Sequence, residues 1–306
     1  MTIAKKDGLV FNLKKSFPYY IIILLPVIYL AVFKYAPMYG MQIAFKNYQV
    51  SKGIAASPWV GLKYFEMFFN LPSFWSILYN TIAISLYSLL AGFPFAILLA
   101  IALNECRNVF FKKSVQMITY MPYFISTVVI VSMIMQFTDV QSGFVSQFIR
   151  LLGGEPKNIM GMSEYFRSLY VWTGVWQGTG YTSIIFLSAL AGISVELREA
   201  AIIDGASKFK RILYIDLPGI TPTIIILLIL NMGYIMSLGF EKIYLMQNNL
   251  NMQTSEVIAT YVYKVGMINA DYSFATAIGL FNSVVNLVLL VFCNTLSRRF
   301  NQASLW

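Results

Sequence analysis

The stretch "EAAIIDGASKFKRILYIDLP", Glu199 to Pro218, is half polar and lies between two long apolar runs. Hydrophobic residues make up 58% of the 306-residue chain and charged residues 11%, with a mean hydropathy of +0.68. That is more apolar surface than one water-soluble core can enclose, so a polar loop in this chain sits at a membrane surface. Outward from it run six apolar segments, 17–33, 74–103, 115–137, 169–192, 222–240 and 273–296. Most approach the roughly 20 residues a helix needs to cross hydrocarbon. The fold class is all-α, a polytopic membrane protein with six transmembrane helices, and the loop, in its full extent 193–221, joins the fourth span to the fifth. The first segment contains Pro26 and follows Lys5, Lys6, Lys14 and Lys15, which is also how a signal peptide begins. No small-residue cleavage site follows it, and it reads as a retained span.

Lysine and arginine set the orientation. With the N-terminus in the cytoplasm, the inner segments 1–16, 104–114, 193–221 and 297–306 hold 13 basic residues in 66 positions, and the outer loops hold 9 in 103. The bias toward positive inside segments puts both termini in the cytoplasm, although Lys34, Lys46, Lys52 and Lys63 in the first outer loop weaken it. The net charge of +9 divides the same way, about +7 inside and +2 outside, which suits an anionic inner leaflet and does not point to nucleic acid. Cys106 and Cys293 both fall at or near the inner face, where two reduced thiols are expected instead of a disulfide.

The six segments contain no Asp, Glu, Lys, Arg or His, and the chain has no histidine. Proton-driven carriers keep a titratable group in the membrane, so that class is disfavoured, while sodium can be held by neutral oxygens alone. No G-x-x-x-x-G-K-[ST] motif occurs. The chain carries no motor of its own, so energy comes from another subunit or the protein is a passive pore. No metal site and no catalytic residue are indicated.

Two short helices fit the loop. Ser194 is placed to cap the first, Glu196 falls in its first turn, and Leu197, Ala200 and Ala201 repeat at i, i+3, i+4 as one small apolar face. Gly205 closes it, supplying left-handed backbone. After Ala206 the second helix runs from about Ser207, with Phe209, Ile212 and Leu213 on one side and Lys208, Lys210 and Arg211 on the other, and Pro218 is expected to stop it. A helix lying in the headgroup plane has a similar pattern. The small Ala200 and Ala201 favour close approach to a protein instead, so the loop reads as a socket for a cytoplasmic partner.

Glu199, Ala200, Ala201, Gly205, Ile215, Leu217 and Pro218 match E-A-A-x-x-x-G-x(9)-I-x-L-P. In this the chain resembles the permease subunits of bacterial ATP-binding-cassette importers. "YAPMYGMQIAFKNY" (Tyr35 to Tyr48) and "WVGLKYF" (Trp59 to Phe65) are similar to the first outer loop of carbohydrate-importer permeases related to the maltose permease, in the LplB-like branch. The resemblance implies a MetI-like permease core over 74–296, preceded by a tail, first span and outer loop over 1–73 and followed by a cytoplasmic tail over 297–306. It further implies that Glu199, Ala200, Ala201, Asp204, Gly205, Ala206, Leu217 and Pro218 form the coupling element that docks in a cleft of an ATPase. The implied partners are a second permease subunit as a heterodimer, two copies of a cytoplasmic ATPase, an extracellular solute-binding lipoprotein, membrane lipids and an oligosaccharide. ATP and magnesium belong to the ATPase, with no cofactor on this chain, which is not an enzyme. An importer of peptides or another polar solute is the alternative within the class, and a passive channel or sodium-coupled carrier the alternative outside it.

For the substrate pathway the sequence offers neutral amides and aromatic rings: Trp172, Trp176, Gln177, Asn231, Tyr234, Asn282 and Asn286. Sugar hydroxyls take amide partners and sugar C–H faces stack on rings, so the cavity is expected to be neutral and aromatic, binding weakly. The same residues also serve as helix–helix contacts or interfacial aromatics. The Gly174 to Gly178 spacing reads as close helix packing.

Overall fold

The computed structural model describes residues 7–301 and 304–305, with side chains described for 16–299 and 304–305. Among the described residues the chain is helical, and its only β pairing is an isolated bridge between Lys46 and Trp59. Helix α1 (Asp7–Leu30) passes through a wide π turn, Ala31–Tyr35, into a 3-10 stretch, Ala36–Phe45. Then come α2 (Phe74–Glu105), α3 (Val109–Tyr120), α4 (Thr127–Phe137), α5 (Ser163–Ala191), α6 (Val195–Ile203), α7 (Lys208–Arg211), α8 (Leu217–Met232), α9 (Phe240–Met246), α10 (Ile258–Tyr263) and α11 (Tyr272–Asn301). Four helical stretches are long and apolar enough to span a membrane alone, Ser16–Phe45, Phe74–Glu105, Lys208–Met232 and Tyr272–Arg299, and two bent pairs bring the number to six.

The third and fifth spans differ from the sequence expectation. Segment 115–137 is not one rod: Val109–Phe124 and α4 meet at 98°. Pro122 sits in a 3-10 turn, Met121–Phe124, Ile125 is extended, and the Ser126 hydroxyl accepts from the Val129 N–H to start α4 afresh. The fifth span begins near Lys208 and ends at Met232, well short of residue 240. Beyond Met232 the backbone folds into turns, and the Met236 N–H donates to Asn286 Oδ1 at 3.0 Å.

Helices α2 and α5 pack along their lengths and run in the same direction. Ile84 packs with Phe166, Ala91 with Val171 and Val175, and Ala96 and Ala100 with Phe186 and Leu190. Buried alanines on α2 let the two backbones approach, the arrangement that lipid-embedded helices use when apolar burial gives them no driving force. On another face of α5, Gly180 lies against α3, where a Cβ would come 2.0 Å from the Thr119 carbonyl. The parallel pairing brings Glu105 and Ala191, and therefore the segments that follow them, to one end of the molecule.

At the other end the two motifs of the 34–73 loop fold on each other. Lys46, 3% exposed, donates to the carbonyls of Ile54 (2.7 Å) and Ala55 (3.3 Å) and lies 4.8 Å from the Trp59 ring centre. Phe45 packs on Phe65, and the Tyr64 hydroxyl donates to Asn47. Ser273, at the start of α11, donates to the Lys46 carbonyl and accepts from the Tyr48 N–H, so the loop is pinned to the last span. The most apolar window of the Ser16–Phe45 stretch, by contrast, has no buried residue.

Candidate functional site: a projecting loop and a central cavity

Two short helices form in loop 193–221, separated by a turn whose chemistry is local. Glu196 lies in the first turn of α6, but the Ser194 side chain makes no capping bond, contrary to expectation. At the other end the Gly205 N–H donates to the Ile202 carbonyl (3.0 Å) and the Ala206 N–H to the Ala201 carbonyl (2.8 Å), the paired bonds of a Schellman closure. Gly205 has φ +75°, and a Cβ there would meet nothing within 4 Å, so backbone conformation alone requires the glycine. Ser207 caps α7 through the Lys210 N–H.

Pro218 does not stop the second helix. The chain passes from α7 through a π turn, Ile212–Asp216, directly into α8, and the Leu217 N–H reaches back to the Ile212 carbonyl. This wide turn places Pro218 in the first turn of α8, where its missing N–H leaves no donor unanswered.

Charged side chains fasten the loop to the end of α2. Arg198 of α6 is ion-paired with Asp216, whose side chain is 1% exposed. With the Asn104 amide oriented so that its oxygen faces Arg198, it accepts from both guanidinium Nη atoms, at 3.0 and 2.6 Å. Arg211 of α7 lies 3.7 Å from Glu105 and also donates to the Ala206 carbonyl. Beneath them Ile193, Ile212, Leu217 and Ile220 pack on Ala96, Ala100, Phe186 and Leu190. A Cβ on Gly219 would come within 2.6 Å of Ile193, so the fit is close.

The outer surface of the loop exposes apolar side chains among the charged Glu196, Glu199, Asp204, Lys208 and Lys210. Ile203 is 85% exposed and Phe209 73%, and Leu197, Ile202 and Val195 are also exposed. Glu199, Ala200, Asp204 and Gly205 are exposed with them, while Ala201, Ala206 and Leu217 are half-buried and Pro218 is exposed. Sequence reasoning missed Asn104, Glu105, Arg198 and Asp216 as the fastening and Ile203 and Phe209 as the exposed face. Asp216 stands inside the motif, between Ile215 and Leu217, where a variable position hid it.

A cavity of about 510 Å³ opens between α2, α5, the end of α8 and α9. Gln177, Asn231 and Tyr234 line it, and the structure brings these three expected residues together. The other four lie outside the lining. Trp172 is half-exposed, donates its indole N–H to the Tyr87 hydroxyl (2.9 Å) and packs edge-on against Phe95, and Trp176 is exposed. Asn286 is buried, bonding the Met236 N–H and the Ser237 hydroxyl, and so joins α11 to the turn after α8. The Asn282 Oδ1 atom is buried without a protein partner.

Two expectations about this region fail. The cavity is not neutral: Lys242, on α9, is part of its wall. Gly174 and Gly178 are not packing contacts, because a Cβ on Gly178 would meet nothing within 4 Å and one on Gly174 would meet only the Lys242 ammonium, at 3.6 Å. Their missing side chains leave the cavity open. Gln177 donates to the Ile125 carbonyl at 3.4 Å, across the break of the bent third span, and Tyr123 stacks on Tyr181 at 3.9 Å. Among the described residues, no group of three His, Cys, Asp or Glu side chains is placed to hold a metal ion.

The chain is similar along nearly its whole length to two proteins of Bacillus subtilis. It is 39% identical over 306 residues to the protein LplB of Bacillus subtilis, covering 100% of this chain and 96% of that one. It is also 39% identical to the polygalacturonan/rhamnogalacturonan transport system permease protein YteP of the same organism, covering 99% of this chain and 94% of that one. A chain from the crystal structure of a bacterial ABC transporter involved in the import of the acidic polysaccharide alginate superposes with a TM-score of 0.88. The two are 36% identical, and the match covers 96% of this chain and 99% of the other. The family model for the binding-protein-dependent transport system inner membrane component matches residues 92–302, from the middle of α2 through α11. With its spans, its projecting loop and that match, the chain is a multi-pass membrane protein that belongs to the family of inner membrane components of binding-protein-dependent transport systems.

Proposed function

We propose that this protein is the permease subunit of an ATP-driven, binding-protein-dependent importer of oligosaccharides in a bacterial cytoplasmic membrane, with both termini in the cytoplasm. The observation that carries the reading is the projecting loop: α6 and α7 present bare apolar side chains outward while Arg198, Asp216, Asn104 and Glu105 hold their inner side to the end of α2. A face of that kind suits docking in a cleft of a partner, and the fastening suits transmission of the partner's motion to the spans. Two copies of a separate ATPase, holding ATP and magnesium, supply that motion, so hydrolysis belongs to the partner and this chain binds no cofactor. Family membership supports the arrangement, as do the carbohydrates named for two relatives, polygalacturonan/rhamnogalacturonan and alginate.

The remaining assignments follow from the same reading. A second, different permease subunit completes the pathway, and a solute-binding lipoprotein delivers the sugar. The pathway on this chain takes in Gln177, Asn231 and Tyr234, and the exposed Trp172 and Trp176 on α5 extend it toward the second permease. ATP binding opens the cavity outward and hydrolysis resets it, each state selected by the ligand it binds better. Cysteine cross-linking tests the docking: cysteines placed at Ala200 and Ser207 are expected to link to a co-expressed ATPase, and cysteines in loop 34–73 are not. Linkage from neither loop position, while other positions on the same side of the membrane do link, overturns the assignment.

A further inference from the structure

Between α4 and α5 the chain forms a two-turn helix, Phe144–Leu151. Two turns are too few to hold together alone in water, and the bonds that fix this helix run to the turn just before it. Gly143 starts it in a space so tight that a Cβ would lie 2.4 Å from the Asp139 carbonyl. The Ser146 hydroxyl donates to that carbonyl at 2.7 Å, and the Arg150 guanidinium donates to the carbonyls of Gln141 (3.0 Å) and Val140 (2.9 Å). One side of the helix is thereby occupied. On the opposite side Phe144, Phe148, Leu151 and Leu152 recur at i, i+4, i+7 and i+8 and are 70%, 54%, 85% and 72% exposed. None of the four joins the apolar clusters that hold the spans together. A row of four such side chains approaches the roughly few hundred Å² at which exposed apolar surface marks an interaction.

The place of the helix in the fold says what covers that row. Ile130, Val131 and Ile134 of α4 pack with Phe166, in the first turn of α5, and with Ile243 and Met246 of α9. α4 therefore ends level with the start of α5, at the end of the molecule opposite loop 193–221. The bonds to Asp139, Val140 and Gln141 keep the helix beside that end, so the row stands at the membrane boundary. Its chemistry agrees with the position. No charge falls within the row, and the one charge on the helix, Arg150, is turned to the other side. In loop 193–221, by contrast, Glu196, Glu199, Asp204, Lys208 and Lys210 interleave the exposed apolar residues, as at a contact with protein. Phe and Leu on one side with polar groups on the other is the pattern of helices that lie in the headgroup plane. Over 138–158 two acids, Asp139 and Glu155, cancel two bases, Arg150 and Lys157, so the seat needs no anionic lipid.

We infer that Phe144–Leu151 is an interfacial anchor, lying in the plane of the bilayer surface opposite loop 193–221 and sinking Phe144, Phe148, Leu151 and Leu152 into the acyl boundary of uncharged phospholipid. The inference rests on the membrane spans and is independent of the solute transported. Spin-label accessibility tests it. The protein is placed in phosphatidylcholine nanodiscs with the subunits that co-purify with it, and nitroxide labels are attached in Leu151→Cys, Leu152→Cys and Glu155→Cys. The signal of the unaltered protein, labelled in the same way at Cys106 and Cys293, is subtracted. Collisions with oxygen, which concentrates in hydrocarbon, are compared with collisions with a neutral, water-soluble nickel complex. The oxygen-to-nickel ratio at positions 151 and 152 is expected to be several-fold above that at 155, which follows the helix and carries a charge in the native chain. Equal ratios overturn the inference and leave the helix standing in water. Immobilised labels at 151 and 152, shielded from oxygen and nickel alike, overturn it too, because a protein surface then covers the row. A high ratio that appears only after phosphatidylglycerol is added also contradicts it, since charge then seats the helix.

Discussion

The projecting loop and the cavity handle polarity in opposite ways. Where the loop meets the body, four charged groups are paired, Arg198 with Asp216 and Arg211 with Glu105, while Ile203 and Phe209 stand exposed on its far side. In the cavity the apolar side chains build the wall, while the Lys242 ammonium stands in it with the Tyr170 carbonyl as its hydrogen-bond partner. On the proposed roles, a region that transmits force keeps one geometry, and here its charges are paired, with only the Arg198 Nε and Asp216 Oδ2 atoms left without a hydrogen bond. A region that passes cargo cannot hold it tightly, and here the one charge in the wall has no ion pair among the described residues.

The largest expected effect comes from unfastening the loop. Arg198→Ala leaves Asp216 charged and buried, which costs about 3 kcal/mol. Thermal unfolding of the purified complex is expected to show a lower melting temperature than for the double change Arg198→Ala with Asp216→Ala, which removes both charges. If the single change is no worse than the double, the pair does not lock the loop. Next comes the wall of the bundle. Gly180→Ala drives a Cβ into the Thr119 carbonyl and is expected to cost about 2 kcal/mol, whereas Gly178→Ala enters open space and stays within about 0.5 kcal/mol. Equal losses at the two glycines would erase the distinction between packed and open faces of α5.

Two smaller effects sharpen the reading of the loop. Gly205→Ala is expected to cost about 1 kcal/mol through its left-handed backbone alone, with Gly205→Asn milder, both read as increased protease cleavage within 193–221. A larger loss would mean that the glycine is also needed for space. Smallest is the capping contrast: Ser207→Ala removes a bond to the Lys210 N–H and is expected to cost about 0.5–1 kcal/mol, and Ser194→Ala nothing measurable. The same proteolysis assay ranks them, and the reverse order would contradict the cap assignment.

What the sequence made legible is what local chemistry decides. Gly205 had to mark a left-handed residue, Ser207 had to start a helix, and the apolar lengths had to become spans, because each depends on neighbours within a turn or on hydrocarbon thickness. Direction was not legible: hydropathy counts apolar residues without regard to heading, so the 98° break around Pro122 disappeared into one continuous segment. Partners distant in sequence were equally hidden. Asp216 meets Arg198 only because α8 begins beside α6, and Lys242 faces the cavity only because the chain turns back after Met232. A segment drawn to residue 240 stops two residues before the one charge in the wall. Asn286 shows the same limit from the other side, since its amide looked available for a sugar and the turn after α8 uses it.

The wide turn at Ile212–Asp216 has a consequence for helical phase. An α-helix advances about 100° per residue, so one residue more in a turn swings everything downstream through that angle. A helical wheel drawn continuously from Lys208 to Met232 therefore misassigns faces on one side of Asp216 or the other. With the extra residue in place, Asp216 points back to Arg198 while Ile220 sinks into the core and Asn231 arrives at the cavity. On the proposed coupling role, the turn is a keyway that sets the angle at which motion of the loop enters the fifth span. Deleting a single residue within 212–216 would leave composition and hydropathy almost unchanged and present the wrong side of the shaft.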